Sequence, residues 1–522
     1  MALRCVVVGG GISGLSTAYM LSKLPAGLVS RISLYEASNE FGGCIKTVQY
    51  PLSGSYQDLG PHTARVSRAN PLVRLIHSLD LQREVVWLPP AQRLLYAAGT
   101  TRPLRLAAFS AQPPFTRSPL GLLIRRACSR GPPSLSPETD MSVDEFLRTR
   151  FDDEFADYFG SALVRGICAA DSRNISVSAL LPQLVKWDAS GPNILLGAAK
   201  EMLLGALGLR TTSLPPEVEI FLPKPTGLKI PWSPRVLSFR KGMQTLTRAL
   251  VDHLRESPNV ALRSGAKVSS VNCRNGQFEL HLHEGEGSLY RQVQADSVFL
   301  CAPASTCGAV LQKAALLPAE SEALALLRPS NSPSASIAVV ALEFDGNLGQ
   351  SPAKPHQRAF GHLVPRSESG PVLGIIYDSS VLPHLSGPDG NCTRFTVMLQ
   401  PRVDWLTATT AATPFDLAEP IREELLRLAI EAVRTHLGLK VSSPERSIVG
   451  IWMHSIPNYP LGHIQNVRRI RRAIEETLHA RGCGGRRTLH LVGASFDGVG
   501  VGDCVASAVR AVLSISCPNP LT

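Results

Sequence analysis

Cys5-Val6-Val7-Val8-Gly9-Gly10-Gly11-Ile12-Ser13-Gly14-Leu15 is the stretch on which the fold turns. The apolar run Cys5 to Val8 stops at three glycines, and a second run follows from Leu15 to Leu24. The spacing predicts a strand, a glycine turn and a helix. Gly9, Gly11 and Gly14 stand in G-x-G-x-x-G register. The first glycine permits the tight turn, the second lets a pyrophosphate approach the backbone, and the third lets helix and strand pack closely. Free N–H groups and the dipole at the helix start favour an anion there. A second strand, Arg31 to Tyr35, ends in Glu36, 22 residues after Gly14. A carboxylate at that strand end binds both ribose hydroxyls and disfavours a 2′-phosphate.

Working outward, Phe41-Gly42-Gly43-Cys44-Ile45-Lys46-Thr47 places a double glycine soon after the ribose acid. At the far end, Leu489 to Val492 reads as a strand closing on Gly493-Ala494. The turn Val499-Gly500-Val501-Gly502-Asp503 then opens a helix over Cys504 to Leu513. Such a helix start stabilises negative charge on a bound ring system. Between these ends, Asn259–Arg263, Ala266–Val271, Phe278–His283 and Asp296–Leu300 read as strands. The cofactor domain is therefore expected to be assembled from separated stretches.

Composition bounds the rest. The chain has 522 residues, 44% apolar, 18% charged and 6% aromatic, which suits a large core and excludes a disordered polyelectrolyte. No run reaches 18 apolar residues, so no spanning helix is expected. The net charge of +11 is scattered and no nucleic-acid motif accompanies it, so no nucleic-acid partner is expected. Eleven cysteines without a C-x-x-C pair read as reduced core residues, not as a disulfide frame or a zinc site. No metal is expected. The chain opens directly on its first strand, so a removable secretory leader is not expected, and no Arg- and Ser-rich presequence stands there.

The Phe41–Thr47 stretch resembles the second signature of the FAD-dependent amine oxidase and desaturase superfamily, although Glu40 stands where an arginine is usual. Within it, the chain resembles the protoporphyrinogen oxidase family over nearly its whole length. The residues that carry this are Val6–Leu15, Asp58-Leu59-Gly60-Pro61, Phe360-Gly361-His362-Leu363-Val364-Pro365, Gly374-Ile375-Ile376-Tyr377-Asp378-Ser379, Thr396–Leu399 and Gly493–Cys504. Extra loops are expected around Leu348–Gln357 and Arg481–Arg487.

The resemblance implies an α/β fold: a Rossmann-like FAD-binding domain from residues 1–90, 235–305 and 451–522, an α+β substrate domain from 91–103 and 306–450, and a helical membrane-associated subdomain over 104–234. It implies non-covalent FAD held by Gly9, Gly10, Gly11, Ile12, Ser13 and Gly14, by Glu36, Ala37 and Cys44, by Gly60, Pro61, His62 and Thr63, and by Val268, Ala494, Val499, Gly500 and Val501. Relatives often have arginine where this chain has His62, so a charge there is missing or has moved to Arg65. The implied substrate is a tetrapyrrole, with Arg93 binding a propionate and Phe360, Gly361, Leu363 and Met398 lining the pocket. A planar guanidinium fork suits a carboxylate. Molecular oxygen is the implied acceptor and hydrogen peroxide the by-product. Aromatisation drives the reaction, so no strong base is required. Asp171, His362 and Asp378 are candidate proton carriers, with a structural role the stronger expectation for each.

Leu104–Leu123, the arginines Arg125, Arg126 and Arg130, and the apolar stretch Ile194–Leu204 suggest a surface that lies on anionic lipid. The resemblance implies the outer face of the mitochondrial inner membrane in a eukaryote, with a homodimer and neighbouring haem-pathway enzymes as further partners. Two rivals stay open: another flavin amine oxidase, although such chains usually have Gly-Glu where this one has Gly493-Ala494, and a non-catalytic escort protein of the same fold.

Overall fold

The strand Leu3–Val8 is buried on both faces, and the rest of the first layer is built on it. Cys5 and Val7 pack with the helices Ile12–Ser22, Gln244–Glu256 and Val501–Ser516. Val6 and Val8 point the other way, into a core shared with the strands Ala266–Arg274 and Gln277–Glu284. Two-sided burial is what a central strand of a parallel sheet requires. The order across that sheet is Val260–Arg263, Val29–Tyr35, Leu3–Val8, Ser297–Leu300, Leu489–Leu491, all parallel. Five short stretches spread over nearly 490 residues thus make one doubly covered layer. The computed structural model describes residues 2–516, apart from 52, 67–69, 105–112, 119–120, 123–138, 192–193, 207–213, 225–234, 285–288, 314–315, 347, 349–358, 388–389, 409–412 and 484–486. Most of the expected segment 104–123, the arginines at 125, 126 and 130, and the loop expected at 348–357 lie outside the described residues, as do 484–486.

A second sheet has seven strands in the order Arg446–Pro457, Ser334–Asp345, Cys392–Leu399, Val372–Ile376, Ala359–Leu363, Gln92–Ala97, Thr100–Pro103. Its pairs are antiparallel except Ala359–Leu363 on Gln92–Ala97. Register sorts its residues. Leu94, His362, Ile375, Val397 and Val340 are matched across neighbouring strands. All but His362 belong to the core that packs on the helix Glu419–Leu437. The next row, Leu95, Leu363, Gly374, Met398 and Val339, faces the opposite way. The expected domain boundary at 451 falls inside the strand Arg446–Pro457, which belongs entirely to this sheet. The boundary is corrected to the end of that strand, because a sheet pairs whole strands.

Short helices between Val143 and Ala206 form a separate core around Val143, Phe146, Phe155 and Val164. Arg150 lies within it, paired with Asp188 through two 2.8 Å bonds. Arg366 ties this layer to the seven-stranded sheet through Asp144 at 2.8 Å and Asp171 at 3.3 Å. The last helix here, Ile194–Ala206, presses close to its neighbour: a Cβ at Gly197 would stand 1.7 Å from the Trp187 carbonyl oxygen. Leu196, Met202 and Leu203 face outward. Among the described residues no helix is long and apolar enough to cross a membrane.

Cys273 and Cys483 form a disulfide, which corrects the expectation of eleven reduced cysteines. They are 210 residues apart in sequence, and only packing of the strands Ala266–Arg274 and Gln277–Glu284 against the helix His463–Ala480 brings them together.

Candidate active site

The glycine turn is shaped by its neighbours. Gly9 has φ +104°, and a Cβ there would lie 2.6 Å from the Cys301 carbonyl oxygen. A Cβ at Gly14 would lie 1.9 Å from the Gly9 carbonyl oxygen, so only glycine lets the helix start so close to the strand. Gly11 is different: a Cβ there would meet no atom within 4 Å. It caps the helix Ile12–Ser22 without a side-chain bond. Open space in front of an uncapped helix start is what a pyrophosphate needs. Glu36 accepts from the Gly10 N–H at 2.6 Å with one oxygen and from the Ser38 N–H and hydroxyl at 2.8 Å with the other. The second glycine pair returns against this turn, with the Gly42 N–H donating to the Gly10 carbonyl at 2.9 Å. The departure at Glu40 is answered locally by an ion pair with Lys46.

A cavity of about 1210 Å³ runs from this turn to the seven-stranded sheet. Every expected cofactor residue borders it except Gly10 and Gly14. At those two positions glycine is required by packing: a Cβ at Gly10 would strike Phe41 and Glu36, and one at Gly14 would strike Gly9. Cys44 is exposed toward the cavity, and the surrounding protein pushes its thiol up to about 11. At the C-terminal end, Gly493 passes the first turn of the N-terminal helix so closely that a Cβ would sit 2.6 Å from Ser13 Oγ. Val499, Gly500 and Val501 then bring the start of the helix Val501–Ser516 to the cavity. Asp503 accepts from the Gly500 N–H at 3.2 Å, and burial raises its carboxyl above the ordinary range.

The far wall is the outward row of the seven-stranded sheet. Arg93, Phe360, Gly361, Leu363 and Met398 all border the cavity. Arg93 is paired with Gly361 in register, and a Cβ at Gly361 would lie 2.2 Å from the Ile375 carbonyl oxygen. Burial first, and then the charge of Arg65, lower the Arg93 guanidinium from its ordinary value. An anion binding between them would relieve both effects. Arg65 also borders the cavity, whereas Arg165 does not and instead donates to the Pro365 carbonyl at 2.9 Å.

The three candidate proton carriers take structural places. His362 borders the cavity, but both its ring nitrogens are engaged on the side of the helix Glu419–Leu437, Nδ1 2.7 Å from the Tyr377 hydroxyl and Nε2 2.9 Å from His436 Nδ1. Burial, reinforced by His436, holds it well below the ordinary imidazole value. Asp171 does not border the cavity and pairs with Arg173 and Arg366. Asp378 is buried behind the cavity wall, bonded to Thr396 at 2.6 Å. Sequence reading missed His463, which borders the cavity with Nε2 buried and unbonded, stacks on Tyr459 at 4.1 Å, and is lowered to about 4 by burial. It also missed the pair Asp58 and Thr396 around His62. The contact of His62 with Thr396 joins residues 334 apart in sequence, so local spacing does not announce it.

The arrangement fits FAD: an open cradle at an uncapped helix start, a carboxylate at the second strand, and a second helix start at the other end of one cavity. The chain matches the model of the flavin containing amine oxidoreductases over residues 12–515. It is 33% identical to protoporphyrinogen oxidase of Homo sapiens over 533 aligned residues, covering 100% of both chains. It is 24% identical to coproporphyrinogen III oxidase of Bacillus subtilis, covering 97% of this chain and 96% of that one. Its fold is also that of a solved protein of Exiguobacterium sp. 255-15, provisionally assigned as a protoporphyrinogen oxidase, with TM-score 0.73 at 21% identity over 99% of this chain and 100% of that chain. The glycine cradle, the carboxylate at the end of the second strand and the full-length likeness converge: the chain belongs to the flavin containing amine oxidoreductases and, within them, to the protoporphyrinogen oxidase family.

Proposed function

We propose that this chain oxidises protoporphyrinogen IX to protoporphyrin IX in haem biosynthesis. The observation that carries this is a single cavity that holds both the dinucleotide cradle and, on an otherwise largely apolar wall, Arg93. FAD, when bound, supplies the two-electron acceptor, and molecular oxygen takes the electrons onward to give hydrogen peroxide. Three such cycles remove six electrons and six hydrogens. Arg93 binds a propionate, and Phe360, Leu363 and Met398 press on the macrocycle and exclude water from it. No side chain of the cavity is required as a base, because each step moves the ring toward aromaticity.

The test is porphyrin fluorescence and peroxide release with protoporphyrinogen IX, set beside cyclohexylamine and putrescine. Turnover of the porphyrinogen alone is expected. Turnover of amines alone would transfer the chain to the rival enzyme class, and a protein that purifies without flavin would favour the escort reading.

The same reading includes a membrane-surface location on the outer face of the mitochondrial inner membrane, a homodimer and neighbouring pathway enzymes. What supports the membrane part is the helix Ile194–Ala206, where Leu196, Met202 and Leu203 are 50%, 70% and 59% exposed. Apolar side chains on one outward face suit the headgroup boundary. Co-flotation with anionic vesicles is expected, and Met202→Asp with Leu203→Asp is expected to abolish it while fluorescence turnover in detergent persists.

A further inference from the structure

A buried polar cluster in the cavity wall plays no part in the chemistry above. His62 is 4% exposed and borders the cavity within the cofactor segment Gly60–Thr63. Its Nδ1 lies 2.9 Å from the Gly60 carbonyl oxygen, an atom that only accepts, so Nδ1 carries a hydrogen. Its Nε2 lies 3.2 Å from Thr396 Oγ1 and 3.4 Å from Asp378 Oδ1. Thr396 has one hydroxyl hydrogen, and that hydrogen goes to Asp378 Oδ2 at 2.6 Å. Gln57 Nε2 donates to the same hydroxyl oxygen at 3.0 Å. What Thr396 offers His62 is therefore a lone pair. Facing a lone pair and a carboxylate oxygen, Nε2 is satisfied only as a second N–H.

The carboxylate needs that charge as much as the ring supplies it. Asp378 is 1% exposed, and its Oδ1 has no hydrogen-bond partner among the described residues, with His62 Nε2 3.4 Å away at ion-pair distance. A buried carboxylate without a cation is costly. Two further charged groups lie in this part of the core: Arg394, 1% exposed, which donates to the Tyr56 and Leu382 carbonyls at 2.6 and 3.1 Å, and Asp58, from the strand Tyr56–Asp58, bonded to Thr47 Oγ1 at 2.5 Å and to the Met243 N–H at 3.0 Å. Burial pushes its carboxyl up to about 6, and the attraction of His62 is the largest influence opposing that rise.

We propose that His62 is a resident imidazolium, locked by Gly60, Thr396 and Asp378, that serves as a fixed positive charge beside the flavin. The inference rests on the flavin assignment of the cavity. A fixed cation favours the more negatively charged redox state of whatever binds beside it, so His62 is a positioning residue for the electron-accepting step.

Two measurements test it. In the ¹⁵N-histidine spectrum of the whole protein at pH 7, His62 is expected to show two protonated ring nitrogens, assigned by their loss in His62→Gln. In Asp378→Asn, which removes the facing carboxylate charge, that signature is expected to collapse toward a neutral ring, and this variant also makes the assignment if His62→Gln fails to fold. The flavin midpoint potential is expected to fall in His62→Gln and to stay near the parent value in His62→Arg. A neutral His62 ring in the parent, as would follow if Asp378 held the proton, overturns the proposal. So do equal potentials in parent, Gln and Arg variants. The spectrum is read with or without flavin, so failure of the flavin assignment is separable from failure of the imidazolium.

Discussion

Gly11 and Gly14 belong to one motif, yet their substitution should fail in opposite ways. Gly11→Val places its side chain in open space, with no protein atom within 4 Å of the new Cβ, and the backbone there is extended at φ −74° and ψ −178°. The fold loses only the modest cap preference, about 1 kcal/mol. The side chain does occupy the cradle in front of the helix start. It should displace two or more charge-assisted bonds from backbone N–H groups to the pyrophosphate, each roughly 1.5–3 kcal/mol. The sum is at least about 3 kcal/mol, or more than a hundredfold in FAD affinity. Gly14→Ala does the reverse. Its Cβ starts 1.9 Å from the Gly9 carbonyl oxygen, where ordinary contact begins at 3.4 Å, so the helix must move by about 1.5 Å. Overpacking against backbone of this kind costs on the order of 3 kcal/mol of stability. The assay is a fluorescence titration of FAD into apoprotein, paired with urea unfolding of the same apoprotein. The reasoning is refuted if Gly11→Val retains full flavin, or if its apoprotein is as unstable as that of Gly14→Ala.

Glu36→Ala strands the Gly10 and Ser38 N–H groups as well as the ribose, and should weaken FAD retention on dialysis by roughly 1–3 kcal/mol; flavin occupancy equal to the parent's would count against the ribose role. Arg93→Ala should raise KM for protoporphyrinogen and lower kcat at unchanged flavin content, with Arg93→Lys recovering only part, because an ammonium is a point charge and not a fork; parent-like turnover would move the carboxylate anchor to Arg65. Asp58 has a folded-state value near 6, above the ordinary carboxylate value of 3.8, so the stability it contributes is fully present below about 3.8 and is lost as pH rises through about 6. Asp58→Asn keeps the Oδ1 acceptor for Thr47 and Met243 and should remove that decline, worth up to about 3 kcal/mol, in urea unfolding at pH 4 and pH 7; parallel pH curves for the two proteins would reject it.

What was legible in the sequence is what short range determines. Strand, turn and helix at Leu3–Ser22 follow from apolar period and glycine placement over some twenty residues, and the observed bounds Leu3–Val8 and Ile12–Ser22 lie close to the expected ones. Glu36 was legible because the carboxylate ends a strand that pairs directly with the first. Arg93 was legible only through the family resemblance; its own neighbourhood, Gln92 to Tyr96, is that of any arginine on a strand flank. Tertiary structure alone decided the rest. Whether the ring nitrogens of His362 face the cavity or the helix behind it depends on a one-residue phase of the sheet, and the register with Leu94 and Ile375 turns them away. Gly11 and Gly14 look alike in sequence and differ only in what stands before them, empty space or a carbonyl oxygen. Cys273 and Cys483, and likewise His62, Thr396 and Asp378, meet across hundreds of residues. Such contacts are set by how whole sheets pack, and the energy that selects that packing is a sum over the entire core, with no local trace at the residues it brings together.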